Sequence, residues 1–334
     1  MTKQKNYKKN GKTRFDIISI GDATLDTFLK LEEAIIVPSG EEHNSMLCLP
    51  YADKIPIEHF EQRIAGNAAN NAVGSVRLGM KAAFYSIVGD DDSGKKIISG
   101  IKKEGVATKY VKTHKKSITN YTVVLNYNGE RTQLIYRVNR DYDLPKLNKA
   151  KWVYYTAVGK NHIHLESDIV EYVKKSGACL AFNPGAYQLK RGAKKLSPVL
   201  KATKVLFVNK EEAYKLVGRF ENMEDLLKEL QTLGPQIIVV TDGSKGAYSC
   251  GDKKCYRMGV FPVKVVEMTG AGDAFATGFV AALHYKKGVD EALRWGTANS
   301  TSVISSIGPQ DGLLSKVGIE KLLKKYLKIK PRKI

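Results

Sequence analysis

The alternation of short apolar runs with helical stretches constrains the fold more than any other feature of this sequence. From residue 151 onward the chain contains four such runs, at Trp152–Ala157, Ala178–Phe182, Val205–Val208 and Ile237–Thr241, with helical stretches between them. Strands that alternate with helices form parallel sheets, because each crossover must return along the sheet before the next strand begins. Together with Phe15–Gly21 and Ala82–Val88, these runs predict a doubly wound, mostly parallel α/β sheet with helices on both faces.

A segment rich in β-forming residues interrupts this alternation of strands and helices. Ile118–Tyr127 and Glu130–Val138 are rich in β-forming residues and are joined by Asn128-Gly129, the dipeptide most typical of a tight hairpin. Residues 24–62 look irregular, with prolines as breakers. We expect a small β element built from about 24–60 and 107–142 beside the main sheet.

The charge of the chain is concentrated at its two ends. The net charge is +20, and residues 1–14 and 321–334, which contain no acid, hold 13 of these charges. The sequence therefore predicts one main domain over 15–320, mildly basic as suits a small anionic ligand, between two basic tails. Frayed, solvated tails are one interpretation, and weak binding to nucleic acid or acidic surfaces is the other.

Targeting and cysteine patterns point to an ordinary intracellular domain. No apolar run approaches the ~20 residues of a membrane span, and the basic N-terminus lacks the apolar core of a secretory signal. These features predict a cytoplasmic protein. No cysteine pair has CxxC spacing; Cys250 and Cys255 are expected across a strand pair, with neither a disulfide framework nor a zinc site implied.

The strongest candidate site is the run from Thr269 to Phe275. A strand feeds the glycine-rich turn Thr269-Gly270-Ala271-Gly272, which opens a long helix with Asp273 in its first turn. Small residues allow backbone N–H groups to converge on an anion, and the helix dipole favours negative charge there. Asp273 could accept a proton from an attacking hydroxyl. From the residues alone, an N-capping aspartate beside tightly packed glycines explains the pattern equally well.

A second run of small residues also turns into a helix. Ala65-Gly66-Asn67-Ala68-Ala69-Asn70 would bury two asparagines among small neighbours, where their amides could bind a polyhydroxyl ligand. Simple helix capping is the alternative.

Together these runs resemble the signatures of the ribokinase-like (PfkB-type) carbohydrate kinases. The resemblance rests on five motifs in family order: Gly21 with Asp26, Ala65-Gly66-x-Ala68-x-Asn70-x-Ala72 followed by Gly79 and Gly89, Asn209-x-x-Glu212, Thr241–Gly246 and Thr269–Asp273. It covers about 15–312 and implies the ribokinase-like fold, with the β element as a lid. The implied activity is transfer of the γ-phosphoryl group of ATP to a hydroxymethyl group of a sugar or sugar derivative.

The resemblance assigns a role to each matched residue. Asp273 would be the general base, and the amides of Gly270, Ala271 and Gly272 would form the anion hole. Asp26, Gly66 and Asn70 would contact the hydroxyl groups of the acceptor. The nucleotide site would contain Asn209, Thr241, Gly243, Gly246 and Asn299, and Mg²⁺ would be held by Asn209 and Glu212.

Two further expectations follow from the family pattern and from departures from it. Lids in this family often pair between subunits, so a homodimer through the lid is one expectation, and an exposed sheet edge covered within the chain is the alternative. Glu267 and Met268 replace the aspartate and hydroxyl residue that usually frame a monovalent-cation loop, so activation by K⁺ is left open.

The acceptor itself is not named by the sequence. A sugar, sugar acid or sugar phosphate is the first hypothesis, and a nucleoside is the second. Leu47, Leu49, Tyr51 and Tyr136 are apolar lid residues that could stack a base, whereas Arg131, Arg137 and Arg140 would suit a phosphate or carboxylate, or simply face solvent. A third hypothesis, an inactive relative that binds nucleic acid through its tails, is disfavoured by the intact motif around Asp273.

Overall fold

The computed structural model describes residues 15–38, 45–251 and 254–334. Within these ranges one sheet has nine strands. From one edge to the other they are β17 (Arg332–Lys333), β16 (Lys254–Met258), β15 (Ala247–Gly251), β14 (Ile237–Thr241), β13 (Thr203–Asn209), β12 (Cys179–Phe182), β11 (Ala150–Tyr155), β1 (Phe15–Ile20) and β6 (Ala82–Tyr85). The six strands from β14 to β6 are parallel, and the other three add in antiparallel fashion at one edge. This confirms the predicted doubly wound sheet.

Helices cover both faces of this sheet because both faces are apolar. Successive side chains of a strand point to opposite faces. In β14, Ile238 and Val240 join one buried cluster, whereas Ile237 and Val239 join another. The first cluster is covered by α3 (Ile163–Ser176), α4 (Ala186–Leu189), α5 (Gly192–Ala202), α6 (Lys210–Val217) and α7 (Met223–Thr232).

The opposite side of the sheet carries the remaining helices. They are α1 (Asn67–Arg77), α2 (Asp92–Lys103), α8 (Ala271–His284), α9 (Val289–Ile304) and α10 (Lys316–Lys325). Throughout the described ranges, every helix is too short or too polar to cross a bilayer.

A second, four-stranded sheet stands apart from the main one, and we call it the lid sheet. Its strands, in spatial order, are β10 (Glu130–Tyr136), β9 (Tyr121–Tyr127), β2 (Thr24–Leu31) and β5 (Ile57–Ala65). The β9–β10 hairpin is confirmed, with Asn128 and Gly129 both at positive φ. The expectation that residues 24–62 are irregular is wrong, since β2 and β5 pair along most of their length.

Two short strand pairs complete the described elements. β3 (Ile35–Pro38) pairs with β4 (Ser45–Cys48), and β7 (Ile87–Gly89) pairs with β8 (Lys112–His114).

The C-terminal segment is packed onto the fold rather than frayed. Residues 321–325 continue α10, where Leu323 is buried, and the ring of Tyr326 stacks on Phe261. We expected a solvated arm at 321–334. That expectation is wrong for residues 321–326, whose apolar side chains pack against the fold. The other predicted arm, 1–14, lies outside the described residues.

The cysteine prediction is half right. Cys250 and Cys255 are direct partners across β15 and β16, as the spacing predicts. The structure joins them by a disulfide, which corrects the expectation that no disulfide is implied.

Candidate active site

A cavity of about 730 Å³ lies between the lid sheet and the carboxyl ends of the parallel strands. The strands β12, β13 and β14 each deliver a polar residue to it at or just beyond their last residue: Asn183, Asn209 and Thr241. Open α/β sheets bind ligands at this edge, because the connections there diverge to opposite faces.

Twelve of the thirteen site residues predicted from the sequence line this one cavity. They are Asp26, Gly66, Asn70, Asn209, Glu212, Thr241, Gly243, Gly246, Gly270, Ala271, Gly272 and Asp273. They come from segments almost 250 residues apart in the chain, so their convergence is a property of the fold.

Asn299 is the exception, because it does not line the cavity, and its role as a nucleotide contact stays a prediction. Its side chain is fully buried, where Nδ2 donates to the Ala274 carbonyl (2.8 Å) and Oδ1 accepts from the Leu314 amide (2.9 Å). These bonds fasten α9 to its neighbours. The cavity is lined instead by Thr297, Ser300, Thr301 and Ile304, which share another face of α9.

The start of α8 is built to leave backbone donors free. Gly270 has φ +80°, and a Cβ there would lie 2.6 Å from the Pro309 Cβ, so only glycine fits. In the described part of the chain no side chain caps this helix. Ala271 donates its N–H group to the Met268 carbonyl at 3.3 Å. The N–H groups of Gly272 and Asp273 have no acceptor among the described residues, and beside the cavity the helix dipole adds to their attraction for an anion.

Asp273 is buried two residues into this helix. Its Oδ2 accepts a hydrogen bond from Asn70 Nδ2 at 2.8 Å. Burial raises the pKa of the Asp273 carboxyl to about 7, the hydrogen bond from Asn70 opposes this rise, and the charge of Glu212 adds to it. A carboxyl with a pKa near neutrality can both take up and release a proton at physiological pH.

Asn70 is itself held by Gln310, a residue that no sequence motif selects. Gln310 Nε2 donates to Asn70 Oδ1 at 3.0 Å, and the Gln310 carbonyl accepts from Arg77 Nη1 at 2.6 Å. Gln310 lies 240 residues from Asn70 in the chain. It matches no local motif, so only the fold reveals this chain of contacts from Gln310 through Asn70 to Asp273.

The start of α1 lines the same cavity. Gly66 has φ +104°, and an added Cβ would lie 2.5 Å from the Asp22 carbonyl oxygen. Asp26 follows on β2, where Thr24 Oγ1 donates to its Oδ1 at 2.6 Å. Burial raises the pKa of the Asp26 carboxyl, and its hydrogen bonds oppose that rise.

Asn209 and Glu212 cap the start of α6 reciprocally. Asn209 Oδ1 accepts from the Glu212 amide (2.8 Å), and Glu212 Oε2 accepts from the Asn209 amide (2.9 Å). Burial raises the pKa of Glu212. Both residues nevertheless line the cavity. One carboxylate and one amide oxygen are suitable ligands for Mg²⁺, which keeps several waters and binds phosphate oxygens.

Glu267 is engaged by protein donors. Its Oε2 accepts from the Gly308 amide at 2.7 Å, its Oε1 accepts from the Thr269 amide at 3.3 Å, and Arg131 Nη1 lies 3.6 Å from Oε1. The carboxylate thus ties the turn before α8 to the lid sheet and to the segment after α9.

The lid residues that motivated a nucleoside acceptor do not face the cavity. None of Leu47, Leu49, Tyr51 and Tyr136 is among its lining residues in the described part of the chain. The Tyr51 side chain is 98% exposed. The contacts from which the nucleoside hypothesis was drawn are therefore absent from the site.

The doubly wound sheet with a smaller sheet over its carboxyl edge is the ribokinase fold. A structure of Arabidopsis thaliana ribokinase complexed with ribose and ATP superposes with a TM-score of 0.76 at 22% identity, covering 93% of this chain and 99% of that one.

The family follows from the sequence match. The model of the pfkB family of carbohydrate kinases matches residues 28–316, so the chain belongs to that family. Ribokinase from Bacillus subtilis is 29% identical over 79% of this chain and 89% of its own. A 5-dehydro-2-deoxygluconokinase from Clostridium perfringens is 26% identical over 94% of each chain.

Proposed function

We propose that this carbohydrate kinase transfers the γ-phosphoryl group of ATP to a hydroxymethyl oxygen of a sugar or sugar derivative, with Asp273 as general base. The observation that carries the proposal is the position of Asp273. It is a buried, hydrogen-bonded carboxyl three residues beyond Gly270, the glycine that precedes α8, and both residues line the same cavity.

The proposed step needs a proton acceptor and a site for charge. As the acceptor oxygen bonds to phosphorus, its proton passes to the Asp273 carboxylate, the bond to the β-phosphate oxygen breaks, and ADP leaves. The amides of Gly270, Ala271 and Gly272 stabilise the negative charge on the transferring group. Phosphoryl transfer depends mainly on such positioning and charge stabilisation, because the protein takes little part in bond making.

The nucleotide is proposed to bind along the edge of β14 and the loop before α8. A short 3₁₀ turn at Gly243–Lys245 follows β14, and a Cβ on Gly246 would lie 2.0 Å from the Met258 carbonyl oxygen. Val260 and Val265 line the cavity beside Thr301, and both valines are about half exposed. An apolar slot with open access suits a flat base.

Mg²⁺ fits the oxygen atoms of Glu212 and Asn209 at the carboxyl end of β13. When bound, the cation would neutralise phosphate charge during transfer. Glu212 also contributes to the field at Asp273, since its charge raises the pKa of that carboxyl.

The lid sheet is proposed to hold the acceptor and exclude water. Asp26, Gly66 and Asn70 line the acceptor side of the cavity below it. Its outer face exposes more than half of the Phe60 and Leu134 side chains, which supports the proposed homodimer through the lid. Analytical ultracentrifugation of the wild type and of the Phe60→Ser, Leu134→Ser variant would test that association.

Acceptor-dependent ADP release from Mg·ATP tests the proposed function. The panel contains pentoses, hexoses, sugar acids, sugar phosphates and nucleosides. We expect turnover on a sugar or sugar derivative, and a loss of about 10²–10⁴-fold in kcat for Asp273→Asn, the usual range for a general base. Asp290→Asn is the matched control, because Asp290 is an exposed acid in the first turn of α9.

Two results would refute the proposal. One is equal turnover by Asp273→Asn and Asp290→Asn on the same acceptor. The other is a slow ADP release that no member of the panel accelerates in the wild-type protein.

A further inference from the structure

Strand β10 presents a mixed row of side chains to the cavity. Because successive side chains alternate between faces, Arg131, Gln133 and Ile135 share the inner face of the lid sheet, and Arg137 continues the same row just after the strand. Cationic groups thus stand at both ends of the row. This is an unusual lining for a site that would bind only neutral polyols.

The three arginines of this region have different partners, and two of them are bound to the protein. Arg140 is buried, with Nη1 donating to Asn120 Oδ1 at 2.9 Å and Nη2 donating to the Ile118 carbonyl. It fastens the base of the hairpin. Arg131 donates from Nη1 to Thr269 Oγ1 at 2.7 Å, which links the lid sheet to the turn before α8.

Arg137 differs from both. Its side chain lines the cavity. Its Nη1 atom is buried and makes no hydrogen bond with any described residue. The Arg137 charge opposes the rise in pKa of two nearby buried carboxyl groups, Asp22 and Asp26. Their hydrogen bonds go to other groups, because Asp22 Oδ1 accepts from Tyr142 Oη at 2.7 Å and Asp26 Oδ1 accepts from Thr24 Oγ1. A buried cationic nitrogen without a hydrogen-bond acceptor costs free energy. A ligand that supplies the acceptor removes this cost and binds more tightly as a result.

We propose that the acceptor substrate carries an oxyanion, a carboxylate or a phosphate, that binds Arg137. This inference rests on the proposed kinase function and names its substrate class. The planar guanidinium group offers two parallel donors to such an anion. Asp26 would accept hydrogen bonds from hydroxyl groups in the middle of the substrate, and the hydroxymethyl group at the other end would reach Asp273.

Matched acceptor pairs test the charge requirement. Fructose 6-phosphate is compared with fructose, and gluconate with its neutral carboxamide, so the two pairs distinguish phosphate from carboxylate. Each anionic probe also carries a hydroxymethyl group away from its oxyanion. We expect the anionic member of at least one pair to have a kcat/KM at least about 10-fold above its neutral partner, the scale of one hydrogen bond to a charged group.

The variant Arg137→Gln assigns that preference to one side chain. We expect it to raise the KM of the anionic acceptor by about 10–100-fold, to leave the KM of ATP within a few-fold, and to affect the neutral partner little. Arg137→Lys, which keeps the charge, should recover part of the loss. Arg219→Gln is the matched control, because Arg219 is exposed and does not line the cavity.

The outcomes separate this proposal from the proposed function. Turnover that is equal within each pair, or an Arg137→Gln defect of the same size for charged and neutral acceptors, overturns the oxyanion proposal and leaves the kinase intact. If no probe supports ADP release, the same four probes are tested by thermal shift. Stabilisation by an anionic probe that is lost only in Arg137→Gln supports the site, and no stabilisation of the wild type overturns it.

Discussion

The starts of α1 and α8 use one backbone device for two purposes. Each helix follows a glycine at positive φ, Gly66 at +104° and Gly270 at +80°, and in the described chain no side chain caps either of them. Both open into the same cavity. They differ in the side chain of the first turn, an amide at Asn70 and a carboxyl at Asp273, which meet at 2.8 Å.

The two helix starts have similar backbones, so the different chemistry of Asn70 and Asp273 comes from their side chains. An amide remains neutral at every physiological pH, so Asn70 is suited to binding and to holding its neighbour. A buried carboxyl is costly to ionise, which raises the pKa of Asp273 to about 7 and makes it suitable for moving a proton. Burial therefore costs stability at one helix start and little at the other.

The largest effect is expected from placing a methyl group at each helix start. Gly270→Ala would bring Cβ to 2.6 Å from the Pro309 Cβ, and Gly66→Ala would bring it to 2.5 Å from the Asp22 carbonyl oxygen. We expect Gly270→Ala to lower kcat by about 10²-fold or more, the usual effect of losing one anion-hole donor. Gly66→Ala should chiefly raise the KM of the acceptor. Steady-state kinetics with each substrate varied in turn would separate them.

A third glycine separates the clash from backbone strain. Gly192 also has positive φ, +75°, but nothing lies within 4 Å of an added Cβ. Gly192→Ala should therefore cost only the local strain of about 1 kcal/mol in stability and leave both kinetic constants unchanged. Equal losses in all three variants would remove the distinction between the two helix starts.

Asp273→Asn should stabilise the protein at alkaline pH. The pKa of Asp273 is raised from 3.8 to about 7 in the folded state, so the folded protein retains a proton that the unfolded chain releases. Stability is therefore lost as pH rises from about 4 to 7. Urea unfolding at pH 8 should give the variant a free energy of unfolding higher by on the order of 4 kcal/mol, because the pKa rises by about three units and each unit corresponds to about 1.4 kcal/mol.

The pH dependence of that difference provides its check. It should shrink as the pH falls below 3.8, the pKa of this carboxyl in the unfolded chain, because the wild-type carboxyl is then mostly protonated in both states. It should be absent in Asp290→Asn. A variant less stable than the wild type at pH 8 would show that the Asp273 carboxylate stabilises the fold.

The smallest effect is expected from the monovalent cation. Both oxygens of Glu267 already accept N–H groups, from Gly308 and Thr269, and Arg131 lies beside them. We therefore expect turnover in KCl and in tetramethylammonium chloride at equal ionic strength to agree within about twofold. A bound cation that stabilised the site by as much as one hydrogen bond to a charged group would change turnover by about 10-fold. Strong activation by K⁺ would place a cation where the structure has the Arg131 guanidinium.

The residues that the sequence predicts best are those whose chemistry is set by near neighbours in the chain. Gly270 and Asp273 belong to one turn, and Asn209 and Glu212 to another, so a short motif contains the whole local arrangement. The parallel strands were predictable for a similar reason, since each is a continuous apolar run. The motifs predicted which residues belong to the site, but they did not predict which of these residues contact each other.

What the sequence could not predict depends on contacts between distant segments. Asn299 has the side chain of a ligand-binding residue, but its helix turns it towards Leu314. Gln310 belongs to no motif and still holds Asn70.

β2 was hidden because polar residues such as Asp26 and Thr27 interrupt its apolar ones, although the strand is mostly buried. β5 was hidden because its first half is exposed and Pro56 precedes it. Which of the lid arginines lacks a partner is likewise decided only by the fold.

The pH dependence of kcat/KM in wild type, Asn70→Ala and Asn71→Ala tests most directly whether Asp273 is a base tuned by the other helix start. The wild type should gain activity with rising pH through a midpoint near about 7, where the Asp273 carboxyl loses its proton. Asn70→Ala removes the hydrogen bond that lowers this pKa, so its midpoint should move to higher pH. Asn71→Ala, whose side chain bonds Thr277 instead, should keep the wild-type midpoint. A midpoint near 4 in the wild type, or one unmoved in Asn70→Ala, would contradict the account.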